Sequence, residues 1–491
     1  MDDDYDVLIV GAGVSGIGMA CQLATKCPDK RMAILERRTS MGGTWDLFRY
    51  PGVRSDSDML TYGFRFRPWM GASVFADGPS IKRYLTETAR EYRVDEKIQF
   101  SLRILRSEWL SAEKHWVVTA AEEDTGNERH FTCSFLVVAT GYYNFDRGYL
   151  PTFPGKERFK GLFIHPQHWP ERVDYRGKRV VVIGSGATAV TIVPSLAREA
   201  AHVIMLQRSP SYVFPFPGKD PLGVVLRRVL STRWAYALLR RRNVLIQRSM
   251  YRFSRRFPRL ARSLLLASAR RRLGPGFDMS HFSPSYMPWD ERLCVAPDGD
   301  LYEALRENRA SVITDRIETF TERGIALKSG RELEADIVVA ATGLDLQVLG
   351  GMELRVDGEV KKAGDRMTYK GVLVQDIPNF AILLGYTNAA WTLRVDVAAD
   401  YVCRLLKEMD RRRVRVVTPR APSGELQNEG ILDALKAGYV RRGGALMPRQ
   451  GRDVPWRVLH HYEKDRVMFR RSVDDPALEW GAAAPRPVLQ A

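Results

Sequence analysis

The sequence predicts an α/β protein with two dinucleotide-binding domains, because one pattern of strand, glycine-rich loop and helix occurs twice. The first copy runs from the apolar residues 6–10 into the loop 11–16, and the second from residues 178–183 into the loop 184–189. Glycines at these spacings let the backbone approach a pyrophosphate at a helix N-terminus. With 491 residues, the chain is also too long for one ordinary domain. We therefore expect a doubly wound fold built from two Rossmann-like domains.

The first loop predicts a nucleotide that lacks a 2′-phosphate. Gly11, Gly13 and Gly16 form the G-x-G-x-x-G pattern, and Ser15 can add a hydroxyl donor beside the pyrophosphate. The next strand, residues 32–35, ends at Glu36. A carboxylate at that position accepts hydrogen bonds from both ribose hydroxyls. FAD and NAD both satisfy this pattern.

The second loop differs from the first in the residue that follows its second strand. Its members are Gly184, Ser185, Gly186, Ala187, Thr188 and Ala189. The strand after the helix ends in Gln207 and Arg208. Arg208 can bind a 2′-phosphate through a charge-assisted pair, which Glu36 would repel. The contrast favours FAD on the first loop and NADPH on the second, although Arg208 could also be a solvated surface arginine.

The composition excludes several classes of protein. The chain is 45% hydrophobic and 27% charged, which is typical of a globular protein. It has no apolar run of ~18 residues and its acidic start is unlike a signal peptide. The five cysteines are scattered, which predicts a reducing cytoplasm and no metal site.

The net charge of +17 depends largely on residues 221–277, which contain many arginines and no Asp or Glu. Three interpretations stay open: a helical insertion with a solvated basic face, a peripheral contact with an anionic membrane surface, or nucleic-acid binding. No nucleic-acid motif accompanies the charge, so we expect no nucleic-acid partner. The sequence leaves the oligomeric state open.

The predicted domain boundaries assume that the chain leaves the first dinucleotide-binding domain, forms the second, and then returns to complete the first. Residues 1–150 form the first part of the FAD domain, and residues 151–345 form the NADPH domain with a basic helical insertion at about 213–288. Residues 346–491 form the second part of the FAD domain and a cover on the substrate side. A late strand at 379–384 and a helix from about Trp391 complete the first domain.

One segment between the two loops carries a family resemblance. It reads FKGLFIHPQHWP, in which Phe159, Gly161, His165, Trp169 and Pro170 stand at defined spacings. These residues could also belong to an ordinary packed linker. Their full pattern resembles the F-x-G-x-x-x-H-x-x-x-W-P fingerprint of type I Baeyer–Villiger monooxygenases, a group of class B flavoprotein monooxygenases. The resemblance covers about residues 5–474 and is closest to the subgroup with thioamide-prodrug-activating and long-chain alkyl ketone enzymes.

The resemblance implies roles for further residues. In the segment GGTWDLFRYPGVRSDSDM it implies flavin contacts at Thr44, Trp45 and Asp56, and NADPH contacts at Arg54 and Ser55. We also expect Asp56 to be a buried acid, although an aspartate here could instead be an N-cap or a surface turn residue. It further implies an FAD contact at Asn388 in GYTNAAWTL. The β-rich pattern of residues 97–118 separately places Ile104 in a predicted strand that can hold the adenine of FAD through main-chain hydrogen bonds.

The segment PWDERLC resembles the active-site arginine region of the family, with Arg292 on the essential arginine. Without the resemblance, a structural ion pair with Asp290 or Glu291 would be favoured. Many members carry Lys just before this arginine, where it helps to bind the 2′-phosphate. This chain has Glu291 there, so NADPH selectivity depends more on Arg208.

The resemblance implies an NADPH- and O2-dependent enzyme that converts ketones to esters through a C4a-peroxyflavin. Arg292 and Asp56 would be catalytic, and the apolar, arginine-bordered insertion favours long alkyl chains. Sulfide oxidation is a second expected activity. The alternatives are a flavin monooxygenase that hydroxylates N or S, an NADPH oxidase, and a membrane-attached flavin sensor without enzymatic activity.

Overall fold

The computed structural model describes residues 4–71, 73–291, 293–433 and 435–481. Within the first 150 residues the strands are β1 (Asp4–Val10), β2 (Met32–Leu35), β3 (Ile98–Gln99), β4 (Leu102–Leu110), β5 (His115–Glu122), β6 (Glu128–Val138) and β7 (Tyr143–Gly148). The helices are α1 (Val14–Lys26), α2 (Thr44–Leu47), α3 (Met59–Tyr62) and α4 (Gly78–Glu91).

The middle of the chain contains β8 (Leu162–Ile164), β9 (Arg179–Ile183), β10 (His202–Gln207), β11 (Val213–Phe216), β12 (Cys294–Pro297), β13 (Ala310–Thr314), β14 (Ile317–Phe320), β15 (Gly324–Leu327), β16 (Glu332–Glu334), β17 (Ile337–Ala340) and β18 (Leu344–Leu346). Its helices are α5 (Ala187–Leu196), α6 (Pro221–Val229), α7 (Thr232–Arg256), α8 (Pro258–Leu273) and α9 (Asp300–Arg306).

The last part contains β19 (Glu353–Val356), β20 (Glu359–Val360), β21 (Thr368–Tyr369), β22 (Leu373–Val374), β23 (Phe380–Ile382), β24 (Val417–Pro419), β25 (Leu426–Gly430), β26 (Arg449–Gly451) and β27 (Leu478–Trp480). Its helices are α10 (Trp391–Arg412), α11 (Gly438–Gly443) and α12 (Tyr462–Arg470). The helix predicted from about Trp391 therefore begins at that residue.

Two sheets with parallel cores organise these elements, as the two glycine loops predict. In the first sheet β1 pairs in parallel with β2 and β6, and β23 joins β6 from the last part of the chain. Val7, Leu8 and Ile9 of β1 are fully buried, because a central parallel strand is covered on both faces. The second sheet has the order β13-β10-β9-β17-β8. An antiparallel ribbon of β7 and β18 joins the segments between the two sheets.

The basic insertion is helical, but one of its arginines is buried rather than solvated. Helices α6, α7 and α8 occupy its centre. Arg240 of α7 is 7% exposed and pairs with Asp396 of α10, with Nη2 3.0 Å from Oδ2. Its Nη1 donates to the carbonyl oxygens of Leu60 and Gly63 at 2.9 and 2.6 Å. The insertion is therefore anchored to the first domain through a buried ion pair.

The outer side of this insertion is apolar as well as basic. Val229 is 70% and Trp234 69% exposed, and large apolar side chains remain exposed as far as Leu264. Across the described residues, no helix combines the length and apolar character that crossing a bilayer requires.

Candidate functional site

A deep cleft lies at the carboxyl ends of β1, β2 and β6, where α/β sheets bind their ligands. Its empty volume is about 1390 Å³, and it opens to solvent. The loop after β1 lines it through Gly11, Gly13 and Ser15, and Glu36 lines it after β2. The predicted strand residue Ile104 also lines the cleft, in β4. The cleft therefore brings together residues from widely separated parts of the chain.

The glycines of the first loop are required by close backbone contacts. A Cβ atom on Gly16 would stand 1.8 Å from the carbonyl oxygen of Gly11. Gly11 has a φ of +101°, which favours glycine. Gly43, with a φ of +56°, approaches so closely that its Cβ would lie 2.9 Å from the Cα of Gly13. The missing side chains create a cradle of backbone atoms, which fits a pyrophosphate at the start of α1.

Glu36 is held in one orientation by main-chain donors. Its Oε2 accepts from the N–H of Ala12 at 2.6 Å, and its Oε1 accepts from the N–H of Arg38 at 2.9 Å. Burial raises the pKa of this carboxyl, while the two N–H donors act in the opposite direction. Each oxygen keeps a lone pair for a ribose hydroxyl. The geometry thus fits the nucleotide chemistry predicted from the sequence.

Aromatic side chains form part of the wall of the cleft. Trp45 donates from Nε1 to the hydroxyl of Tyr62 at 2.7 Å, and Trp391 donates from Nε1 to Oγ of Ser15 at 2.8 Å. Thr44, at the start of α2, lines the same region. The wall therefore offers flat apolar surfaces, as an isoalloxazine ring requires.

Asn388 stands close to the cleft without forming its lining. Its Nδ2 donates to the carbonyl oxygen of His460 at 3.0 Å, and its Oδ1 is buried without a hydrogen-bond partner within the described chain. Its neighbours Ala389 and Trp391 do line the cleft. An unpaired buried acceptor at this point is consistent with a ligand nearby.

The prediction that Asp56 is buried is wrong. Asp56 is exposed and lines the cleft. Two other acids of the segment 41–58 are buried, Asp46 and Asp58, and Asp58 caps α3 by accepting from the N–H of Thr61 at 3.1 Å. Asp58 also accepts from Asn243 of the insertion at 2.8 Å. The N-cap role considered for Asp56 therefore belongs to Asp58, while Arg292 lies outside the described residues.

The second loop repeats the close backbone approach of the first. Gly184 has a φ of +135°, and its Cβ would lie 2.4 Å from the carbonyl oxygen of Ala341. A Cβ on Gly186 would meet nothing within 4 Å. Ser185 donates from Oγ to the carbonyl oxygen of Ser209 at 2.9 Å. Residues Ala187, Thr188 and Ala189 form the first turn of α5. This loop therefore has an open side where a pyrophosphate can approach.

Gln207 and Arg208 face different environments at the end of β10. Gln207 is 2% exposed and donates from Nε2 to the carbonyl oxygen of His281 at 2.7 Å and to Oγ1 of Thr314 at 2.9 Å. Its amide group is therefore engaged inside the domain. Arg208 is exposed, and in the described part of the chain its guanidinium has neither an ion pair nor a hydrogen bond.

The segment 41–58 extends from the first cleft to the second domain. A Cβ on Gly52 would lie 1.9 Å from Oγ of Ser195 in α5, so the loop packs directly on the second dinucleotide helix. Arg54 forms an ion pair with Asp300 at the start of α9, which engages its guanidinium. Ser55 is buried and donates from Oγ to the carbonyl oxygen of Ser57 at 2.8 Å.

Three fingerprint residues, Phe159, Gly161 and Trp169, pack within the second domain. A Cβ on Gly161 would be 2.5 Å from the carbonyl oxygen of Asp336, beside the edge strand β8. The ring of Phe159 packs edge-on against Phe320. Trp169 packs against the core of the second domain, and Pro170 follows it on the surface. This placement explains the need for the glycine and the aromatic residues.

His165 follows β8 and packs against the connecting ribbon. A Cβ on Gly148 would lie 1.9 Å from its Cε1. Burial lowers the pKa of the His165 imidazole, so its neutral form is favoured. The adjacent Gln167 donates from Nε2 to the carbonyl oxygen of Asn144, in β7, at 2.8 Å. The fingerprint therefore connects the second sheet to the ribbon between the domains.

Sequence reasoning missed several residues that line the cleft, namely Tyr62, Tyr142, Gln347, Leu349 and Tyr386. They come from four separate segments of the chain, and only Tyr386 lies in a segment quoted above, GYTNAAWTL. Tyr142 directly follows Ala139, Thr140 and Gly141, which come after β6. The signal that could have found it is that position, because residues after a parallel strand end lie at the ligand edge of the sheet.

Comparison with known proteins gives consistent matches over the chain. The family described as flavin-binding monooxygenase-like matches residues 69–269, and an NAD(P)-binding Rossmann-like domain matches residues 9–87. The putative FAD-containing monooxygenase MymA of Mycobacterium tuberculosis is 56% identical and covers 99% of both chains. The probable FAD-binding monooxygenase AlmA of Acinetobacter baylyi is 50% identical, over 98% of this chain and 97% of that protein.

The fold matches that of a solved protein. An oxidized steroid monooxygenase bound to NADP superposes with a TM-score of 0.80 and 23% identity, over 97% of this chain and 99% of that chain. The predicted arrangement of two Rossmann-like domains is thereby confirmed.

Proposed function

Because this chain belongs to the family of FAD-containing monooxygenases, we propose that it is a Baeyer–Villiger monooxygenase that converts ketones to esters. The reaction takes a ketone, O2, NADPH and a proton, and gives an ester, NADP⁺ and water. One oxygen atom enters the bond between the carbonyl carbon and its neighbour. We propose aliphatic, long-chain ketones as the main substrates and sulfides as a second class. Bound FAD, reduced by NADPH, supplies the activation of O2.

The observation that carries this proposal is the course of the 41–58 segment. Trp45 and Asp56 line the first cleft, while Gly52 packs on α5 of the second domain. One loop therefore contacts both places where a dinucleotide fits. Such a loop can bring a nicotinamide and a flavin into one crevice, as hydride transfer requires. The fingerprint segment, which contacts the ribbon between the two sheets, supports the same arrangement. A movement of one sheet relative to the other would displace this segment, as expected where two cofactors must be repositioned.

We assign distinct tasks to the residues of the cleft. Gly11, Gly13, Gly16 and Ser15 hold the pyrophosphate of FAD, and Glu36 binds its ribose. Asp56 positions Arg292, which stabilises the negative oxygen that forms when the ketone is attacked. Preorganised donors of this kind act most strongly in a site from which water is excluded.

Replacing Arg208 with leucine is expected to raise the KM for NADPH about tenfold without changing the weaker use of NADH. The physical reason is the loss of one charge-assisted contact, worth about 1.5 kcal/mol or more, with the 2′-phosphate. Steady-state NADPH and NADH oxidation measure the effect. Arg198→Leu is the matched control, because Arg198 is exposed beyond the opposite end of α5. An equal KM for NADPH in Arg208→Leu and the wild type would show that Arg208 is only a surface residue.

Replacing Arg292 with alanine is expected to lower the rate of ester formation by ~10²–10³, the usual effect of removing one such donor. Reduction of FAD by NADPH should persist, because the proposed role concerns a later step. Ester is measured by gas chromatography with linear, cyclic and aryl ketones, and flavin reduction by absorbance. Arg233→Ala, at an exposed position of α7, is the control. Normal ester formation in Arg292→Ala would refute the assigned role.

The same assay separates the alternative functions. Hydroxylation of an added amine, with the ketone unchanged, would favour an N- or S-hydroxylating flavin monooxygenase. Consumption of NADPH with no organic product would favour an NADPH oxidase.

We also propose that the insertion makes a peripheral contact with an anionic membrane. Support comes from exposed apolar residues, among them Val229 and Trp234, beside the exposed arginines Arg228 and Arg233. Other arginines of the insertion, namely Arg240, Arg242, Arg248 and Arg255, pair with acids outside residues 221–277 and do not contribute to this charge. We expect flotation with anionic liposomes at low salt and weaker flotation at high salt, since screening reduces the attraction. Absence of flotation at low salt would exclude the contact.

A further inference from the structure

A second cavity lies apart from the flavin cleft and shares no lining residue with it. It has an empty volume of about 1070 Å³ and lies between α7, α12 and the turn at residues 454–459. Its lining combines cationic side chains, among them Lys370, Arg252 and Arg471, with apolar side chains and two acids, Glu463 and Asp475. None of the roles assigned above uses this cavity.

Lys370 in the wall of this cavity is an unpaired buried cation. The residue is 3% exposed, yet among the described residues it forms no ion pair and its Nζ forms no hydrogen bond. Its Nζ lies over the rings of Tyr369 and Tyr401, 5.1 and 4.7 Å from their centroids. Burying a charge without a carboxylate at ion-pair distance costs free energy, and Asp475 in the same wall offsets only part of that cost. The aromatic rings offset part of this cost, and an anion in the cavity would offset more.

The backbone of Lys370 is held in an unfavourable conformation. Its φ is +53°, in the left-handed region that residues other than glycine rarely adopt. Two hydrogen bonds fix it there: its N–H donates to the carbonyl oxygen of Pro455 at 2.6 Å, and its carbonyl oxygen accepts from Nη2 of Arg394 at 3.0 Å. Strain at a residue that the surrounding structure holds in place is typical of ligand sites.

The rest of the wall matches an anion that carries an apolar chain. Arg252, Lys464 and Arg471 add positive charge, and of the two acids Glu463 already pairs with Arg248 at 2.9 Å. The buried Nε of Arg248 and Nε2 of His461 have no hydrogen-bond partner within the described chain. Val454, Leu459, Val467 and Met468 supply apolar surface.

We propose that this cavity binds the carboxylate end of an alkyl chain, that is, a medium- or long-chain fatty acid anion, with Lys370 as its counter-ion. The carboxylate lies at Lys370 and the alkyl chain lies along the apolar residues. The site is independent of the oxygenation proposed above, since binding needs neither NADPH nor turnover.

The ionisation of Lys370 gives the site a characteristic pH dependence. Burial lowers the pKa of its ammonium group to about 8; Asp475 opposes this shift, whereas Arg404 and Arg471 add to it. The other charged or titratable groups around it are Arg248, Arg252, Tyr369, Tyr401, His461, Glu463 and Lys464. Because the free lysine loses its proton above pH 8, we expect the affinity for a carboxylate to fall as the pH rises from 7 to 9.

The test is calorimetric titration of the FAD-loaded protein with decanoate, below its micellar concentration and without NADPH. We expect saturable binding that Lys370→Met weakens at least ~10-fold, since a charge-assisted contact is worth about 1.5 kcal/mol or more. Methionine keeps most of the apolar volume, and Lys160→Met is the control, because Lys160 is exposed and far along the chain from the cavity. Unchanged decanoate binding by Lys370→Met overturns the proposal.

Three further ligands identify what the cavity recognises. Decanol, which has the chain without the charge, and inorganic phosphate, which has charge without the chain, should each bind at least ~10-fold more weakly than decanoate. Equal binding of either one overturns the proposal. Tighter binding of decyl phosphate would assign the cavity to phosphate head groups instead. If Lys370→Met does not fold, the double variant Arg252→Gln/Arg471→Gln replaces it, with several-fold weaker binding expected and unchanged binding refuting the site.

Discussion

A protein with alanine at position 16 is expected to purify without FAD. The added Cβ would stand 1.8 Å from the carbonyl oxygen of Gly11, so the loop and the start of α1 must separate. Overpacking of this kind typically costs 1–3 kcal/mol, and a loss of about 3 kcal/mol in cofactor binding is roughly a hundredfold in affinity. The measurement is the ratio of flavin absorbance to protein absorbance, followed by titration of the stripped protein with FAD.

Gly276→Ala is the matched control for this prediction. A Cβ at Gly276 meets nothing within 4 Å, so this variant should retain the flavin content of the wild type. Far-ultraviolet circular dichroism of both variants separates the loss of cofactor from a loss of fold. Wild-type FAD content in Gly16→Ala would mean that the first loop does not form the cradle described above.

Arg240→Met is expected to lower the free energy of unfolding by about 3–5 kcal/mol, the usual effect of removing one partner from a buried ion pair. The substitution leaves Asp396 without its counter-charge, although the carboxylate still accepts from the N–H of Arg65 at 3.0 Å. Burial already raises the pKa of Asp396, and Arg240 opposes that shift. The three carbonyl oxygens that accept from Nη1 would also lose this donor, although that of Thr61 still accepts from Oγ1 of Thr392 at 3.1 Å. Denaturant unfolding followed by fluorescence measures the loss.

The neighbouring Arg241 provides the control, because it is exposed on the same helix. Arg241→Met should change the stability by no more than about 0.5 kcal/mol. The double variant Arg240→Met/Asp396→Leu should be more stable than Arg240→Met alone, since it removes the uncompensated charge. Equal stability of Arg240→Met and Arg241→Met would show that the buried pair does not anchor the insertion.

The candidate site could be predicted where adjacent residues define it. Gly11 and Gly13 come just after β1, and Glu36 comes just after β2. Because these two strands pair in parallel, all three residues lie at the same edge of the sheet. By contrast, Tyr62, Gln347 and Tyr386 line the same cleft from distant segments. Their positions depend on how β23 and the later loops return to β6, which no local pattern indicates.

Burial was the property that sequence reasoning judged least well. Asp56 and Asp58 are two residues apart in SDSD and look equivalent in the sequence, yet one lines the open cleft and the other caps α3 beneath α7. Arg240 likewise begins a run of three arginines, but only the helical period places it towards Asp396.

The sequence alone determined the two dinucleotide loops, the strands and helices around them and the family resemblance, because these depend on glycine conformation and on the periodicity of apolar residues over short stretches. Only the tertiary structure decided which charges are buried, which carboxylate caps a helix, and that Lys370 lies unpaired in a second cavity. Burial and ion pairing arise from contacts between residues far apart in the chain, so their free energies are set when the segments pack together.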